Sequence, residues 1–167
     1  MGGNGERMRK CLAAFAALAV AACSPAPADV AATSSTAAKA VHPVSGLPVV
    51  PLTVESEGRS HRFMVEVART SAEQARGLMF REAMGVDEGM IFPMKPPRSA
   101  SFWMHNTVIS LDLIFIGPDG RVRNIAANAV PYDETPLVSR GAVSAVLELN
   151  GGRAAQLGIG EGDVVRW

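Results

Sequence analysis

Six consecutive residues, Leu111-Asp112-Leu113-Ile114-Phe115-Ile116, constrain this chain more than any other feature. The run is apolar at nearly every position and shows no polar face. It is short, and Pro118-Asp119-Gly120 supplies a turn signal directly behind it. A run of this kind is a strand covered on both sides. Asp112 interrupts it, and a buried carboxylate needs hydrogen-bond or charge partners.

The flanking segments supply the rest of a β-rich domain. His61 to Ala68 alternates, with Phe63, Val65 and Val67 on one face and Arg62, Met64 and Glu66 on the other, as in a half-buried strand. Thr70-Ser71-Ala72-Glu73 has the form of a capping box, so a helix starts there, and Gly77 keeps it short. Gly89 to Met94 and Ala100 to Met104 read as strands separated by Pro96-Pro97. Arg121 to Ala126 is the return strand after the turn, and Val143 to Leu149 is another. Asn150 is placed to cap a second short helix through Leu157, ended by Gly158, before a last strand over Val164 to Trp167. The expected class is mainly β, α+β at the margins: a small antiparallel or mixed β-barrel with two short helices.

The N-terminus reads as an address. Arg7, Arg9 and Lys10 precede an apolar run from Cys11 to Ala22. Crossing a bilayer takes roughly 20 apolar residues, so this run has the proportions of a signal peptide. It ends in Val20-Ala21-Ala22-Cys23, which resembles a bacterial lipobox, with Cys23 as the lipidation site. The expected organisation is a signal peptide over 1–22, a lipidated cysteine and Ala/Pro/Ser/Thr tether over 23–48, and one domain over 49–167. The tether has too few large apolar residues to offset the entropy of ordering it, and His42 within it is expected to be solvated. The expected location is the periplasmic side of the envelope, on the outer membrane because Ser24 rather than aspartate follows the cysteine.

Charge and cysteine content narrow the function. The formal net charge is zero, and residues 1–22 carry +2, so their removal leaves −2. That balance provides no basic field for nucleic acid. Of the two cysteines, Cys11 leaves with the signal and Cys23 is blocked by lipid, which excludes thiol catalysis and cysteine-bound zinc in the mature chain. No cofactor is expected.

Four ordered blocks carry a family resemblance. They are Glu73-Gln74-Ala75-Arg76-Gly77-Leu78-Met79-Phe80-Arg81, Gly89-Met90-Ile91-Phe92, Ser101 to Thr107 leading into Leu111 to Ile116, and Val146-Leu147-Glu148-Leu149 with Gly158 to Asp163. Together they resemble the domain of unknown function 192 family. The resemblance implies a compact β-rich fold and no particular activity. His105 stands where the family pattern usually has lysine.

The candidate ligand-binding residues are Arg81, Trp103, His105, Asn106, Asp112 and Glu148. In one arrangement Arg81 binds an anionic group, Trp103 stacks, and Asn106 and Asp112 orient the ligand. In the other, Asp112 belongs to a polar network that fixes loops to the barrel, with Arg76, Arg81, His105 and Asn106 as possible partners. Glu148 lies between Leu147 and Leu149, where simple alternation also allows a solvent-facing position. The leading reading is a membrane-tethered binding or accessory module, not an enzyme, with a polar groove near Trp103 to Asp112. Its partners would be the membrane and a small ligand or envelope protein. One alternative is an envelope enzyme acting on a glycan or peptide through Asp112 and Glu148. Another is copper handling through the methionines and His105, although Met79, Met90 and Met104 adjoin apolar residues as core fillers do. No Gly-x-Ser-x-Gly or His-Glu-x-x-His motif is present.

Overall fold

The computed structural model describes residues 40–167. The expected signal peptide, Cys23 and the first part of the tether lie outside the described residues.

Alternating and continuous apolar segments form nine strands: β1 (Val49–Ser56), β2 (Arg59–Val67), β3 (Glu88–Arg98), β4 (Ser101–Phe102), β5 (Leu111–Ile116), β6 (Val122–Ala129), β7 (Leu137–Val138), β8 (Val143–Asn150) and β9 (Val164–Arg166). Two short helices, α1 (Ser71–Arg76) and α2 (Arg153–Leu157), join them. Seven strands make one sheet in the order β6-β5-β8-β3-β2-β1-β9, and β4 pairs with β7 separately. The sheet is mixed: β2 and β3 run parallel, joined through α1, and its other neighbours are antiparallel. A parallel pair cannot be joined by a tight hairpin, which accounts for the crossover through α1. The mainly-β class and two short helices match the expectation, but the sheet stops short of a closed barrel. Strand β9 spans three residues, and the two edges meet only over a short stretch, through the Arg121–Val164 bridge and the backbone bonds of Val122 and Val165 beside it.

The central strands are buried on both faces, as the 111–116 run requires. All six residues of β5 are buried. Ile114 and Ile116 join Phe63, Val65, Ile91 and Leu147 in one core, while Leu111, Leu113 and Phe115 join Met90, Phe92 and Val146 in a second. Register then fixes which side each polar residue faces. Residues directly opposite in a ladder share a face. Asp112 is opposite Leu149 and therefore faces the first core, whereas Glu148 is opposite Leu113 and Met90 and faces the second.

Helix α1 carries the predicted capping box. The Thr70 side chain accepts from the Glu73 backbone, and Glu73 accepts in return from Thr70. These backbone bonds hold the Glu73 carboxyl below its ordinary range. Gly77 ends the helix at φ 47°, a backbone conformation that favours glycine, and a Cβ there would lie 3.4 Å from the Phe92 ring. In α2 the expected cap at Asn150 is displaced. Asn150 remains in β8 and donates to the Met84 and Gly85 carbonyls, while Gly152 is the N-cap residue. The Asp112 carboxylate serves the helix start in its place, accepting from the Gly152 and Ala154 amides.

The spacer expected to run to Pro48 ends earlier. Residues 40–48 fold back through a bridge between Val41 and Pro48, and Val67 donates its amide to the Pro48 carbonyl at 2.9 Å. His42 is correspondingly not solvated: its ring lies 3.4 Å from the Arg81 guanidinium and 3.7 Å from the Glu66 carboxylate. The nearly buried Arg81–Glu66 pair is thus met by a segment that itself has few apolar anchors.

Candidate functional site

The site begins with the consequence of register for Glu148. Strand β8 is central, between β3 and β5, so any side chain on either of its faces is covered by whatever lies over the sheet. Over the second core lie α1, the Gly77-Leu78-Met79 turn and the β3–β4 connection. They leave an open cleft of about 320 Å³. Its apolar wall includes Leu78, Met79, Phe92, Met94 and Phe102, and Glu148 lies in it. Phe92 and Phe102 meet edge-to-face at 5.1 Å.

Glu148 is only 5 % exposed. Burial pushes its carboxyl up to about 8, and no neighbouring charge or hydrogen bond counters this. The acid therefore holds its proton near neutrality for lack of a partner. An unpaired buried carboxyl is costly, and such groups concentrate where a ligand or reaction supplies the missing interaction. Arg76 and Arg98 line the cleft from exposed positions, and neither lowers the acid. Neither makes a side-chain ion pair among the described residues. Trp103 closes one side, 53 % exposed, with its ring stacked on His105 at a centroid separation of 5.0 Å. His105 in turn contacts Glu134 through Nδ1.

The other sequence candidates disperse. Asp112 is fully buried and fully paired, accepting from the amides of Asn128, Gly152 and Ala154 at 2.8–2.9 Å. It serves to hold α2 and the β6 backbone on the sheet, with Asn128 at φ 51°. It faces away from Glu148, which removes the proposed two-carboxylate catalyst. Arg81 is committed to Glu66: one guanidinium nitrogen reaches both carboxylate oxygens at 2.8 and 3.1 Å. The Ser45 hydroxyl also donates to Glu66. Asn106 adopts φ 53° and its carbonyl accepts from Phe80, so its evident role is in the loop backbone. The cleft thus includes Trp103 and Glu148 from the expected groove but not Asp112, Arg81, His105 or Asn106. Of the methionines, Met90, Met94 and Met104 are buried in the second core, Met79 and Met94 border the cleft, and Met64 is exposed on the sheet. Among the described residues no group of three His, Cys, Asp or Glu side chains converges.

Sequence reasoning missed Phe92, Met94, Phe102 and Arg98 as parts of the site. The alternation Met90-Phe92-Met94 puts these residues on one face of β3, and Met90 is opposite Glu148. That signal becomes readable only once β3 and β8 are known to be neighbours.

The chain is thus a mainly-β domain, built on a seven-stranded mixed sheet, with one acid in an open cleft over one face. The chain belongs to the domain of unknown function 192 family, described as an uncharacterized ACR, whose profile matches residues 52–167. A crystal structure of a protein of unknown function from Novosphingobium aromaticivorans DSM 12444 is similar at 64% identity, covering 79% of this chain and 94% of that one, with a TM-score of 0.76. A second, from Sinorhizobium meliloti 1021 and described as a candidate transcription regulator, is 38% identical over 72% of this chain and 94% of that one, with a TM-score of 0.70. No curated protein matches the sequence.

Proposed function

We propose that this protein is an exported, lipid-anchored binding module whose small ligand enters the Glu148 cleft. The observation that carries the reading is the buried, unpartnered Glu148 carboxyl in an open cleft. A fold has no use for that arrangement, since an apolar side chain of similar volume would fill the site without a desolvation cost. Binding sites commonly retain such local instability because the ligand relieves it. The aromatic and thioether wall provides contact area, and Trp103 provides an exposed stacking face. The export and anchoring parts rest on the N-terminal charge, the apolar run and the lipobox ending at Cys23.

Ligand-free stability tests the cleft reading. Glu148→Leu is expected to raise the urea midpoint near neutral pH, and Glu148→Gln to change it little or raise it. The pH dependence has a definite sign. The folded chain keeps the Glu148 proton to about 8, whereas the unfolded chain releases it near the ordinary 4.5. Between those values the folded state binds more protons, so stability falls as pH rises. The slope for one proton is about 1.4 kcal/mol per pH unit. Wild type should therefore lose stability relative to Glu148→Gln across that window and run parallel to it outside. A Glu148→Leu variant less stable than wild type would make this acid a structural group and overturn the proposal.

A further inference from the structure

The acid and the bases of the cleft are separated by depth, and this restricts what can occupy it. The acid lies at 5 % exposure, while Arg76 and Arg98 line the same cleft from exposed positions. Arg98 is shared with an adjoining depression that also contains Arg69 and Lys95, so the positive rim continues beyond the cleft. The same cleft is lined by Phe92, Phe102, Trp103 and two methionines, with Gln74 and Thr107 among its polar residues.

Resting on the binding reading, we infer that the ligand is a small zwitterion: an ammonium group seated against Glu148, with an anionic group held at the Arg76–Arg98 rim. Each simpler ligand leaves one part of the site unserved. An apolar molecule would bury Glu148 further without pairing it. An anion alone would pair with Arg76 and Arg98 and leave the deep acid without a charge partner, and a plain cation would pair with the acid and leave the two arginines unserved. An ammonium supplies the missing charge partner, and aromatic faces favour cations once water is excluded. Guanidinium groups pair well with carboxylate or phosphate, and the two rim arginines have no other acid to serve among the described residues. The same chemistry occurs in soluble amino-acid-like compounds and in zwitterionic lipid headgroups.

Calorimetric titration of the purified protein tests this with O-phosphoethanolamine and 4-aminobutyrate as probes, against ethanolamine, inorganic phosphate and butyrate as their halves. At least one zwitterion should bind about tenfold or more tightly than either of its halves. Glu148→Gln, nearly isosteric, should weaken that zwitterion about tenfold, and Arg98→Ala, at an exposed position, should weaken it while leaving ethanolamine binding unchanged or improved. Absence of binding by both zwitterions, equal binding by an anionic half, or indifference to Glu148→Gln would overturn the inference. If the zwitterions fail while Glu148→Leu still stabilises the ligand-free protein, the ligand class is wrong and the cleft reading stands; if Glu148→Leu destabilises, both fall. Sedimentation with phosphatidylethanolamine vesicles against phosphatidylglycerol vesicles then distinguishes the source. Glu148-dependent capture by the former alone identifies a headgroup, and binding of free zwitterion without vesicle capture identifies a soluble ligand.

Discussion

Asp112 and Glu148 occupy adjacent central strands, yet they present opposite energetics. Asp112 satisfies three backbone amides that have no other acceptor nearby. Asp112→Ala should therefore strand all three, at about 1 kcal/mol or more each, and urea melts should show a loss of about 3 kcal/mol or more. Asp112→Asn keeps one carbonyl oxygen and should fall between the two. Glu148 satisfies nothing within the chain, so its removal should cost little. The comparison of Asp112→Ala with Glu148→Leu in one urea series is thus a direct measurement of which acid belongs to the fold. Arg81 is a third case. Arg81→Met leaves the Glu66 carboxylate buried without its main partner, and a loss of about 3–5 kcal/mol is expected by the same assay. A loss under about 1 kcal/mol would mean that water reaches Glu66 and screens it.

The folded-back segment 40–48 shows how an element can be set by charge rather than by apolar burial. Val41 and Val44 are exposed, and Leu47 makes the segment's contact with the second core. The Val41–Pro48 bridge closes the segment on itself, and its attachment otherwise consists of the Val67 amide on the Pro48 carbonyl, the Val49 amide on the Ala40 carbonyl, the Ser45 hydroxyl on Glu66 and the His42 ring beside Arg81. A chain beginning at Pro48 should still melt cooperatively, but several degrees below one beginning at Ala40, and the difference should shrink in an Arg81→Met background where the docking surface is already broken. Equal melting temperatures for the two chain lengths would show that the segment contributes nothing to stability. This element also marks where sequence reading fails. The capping box at Thr70, the doubly covered strand 111–116 and the Pro118-Asp119-Gly120 turn are local signals, and each is where it was read. Segment 40–48 has no periodicity because its partners, Glu66 and Arg81, are distant in sequence. Strand β3 was expected to end at Met94, before Pro96-Pro97, but it continues to Arg98 on an exposed stretch where missing amide donors are tolerated. The cleft was legible only in part for the same reason. Trp103 and Glu148 stood out as single residues, while the wall from β3 and α1 depends on a strand order that no local pattern encodes.

At the scale of the whole molecule, the proposed tether implies that anchorage and fold are separable. Cys23→Ala is expected to abolish incorporation of labelled fatty acid and to release the protein from the membrane fraction, with the melting curve of the released protein unchanged. Membrane association of wild type without lipid incorporation would contradict the anchoring proposal. The sheet order also has a consequence in time. Strand β8 lies between β3 and β5 and is the sole link in the seven-stranded sheet between the β3-β2-β1-β9 side and the β5-β6 hairpin. Until residues 143–150 have been synthesised, these two groups of strands have no common ladder, and β9 cannot cover β1. Pairings this distant in sequence carry a large loop-closure cost and form late. A ribosome most of the way along the message therefore holds a chain without its central strand, and the two groups of strands stay undocked until that strand emerges.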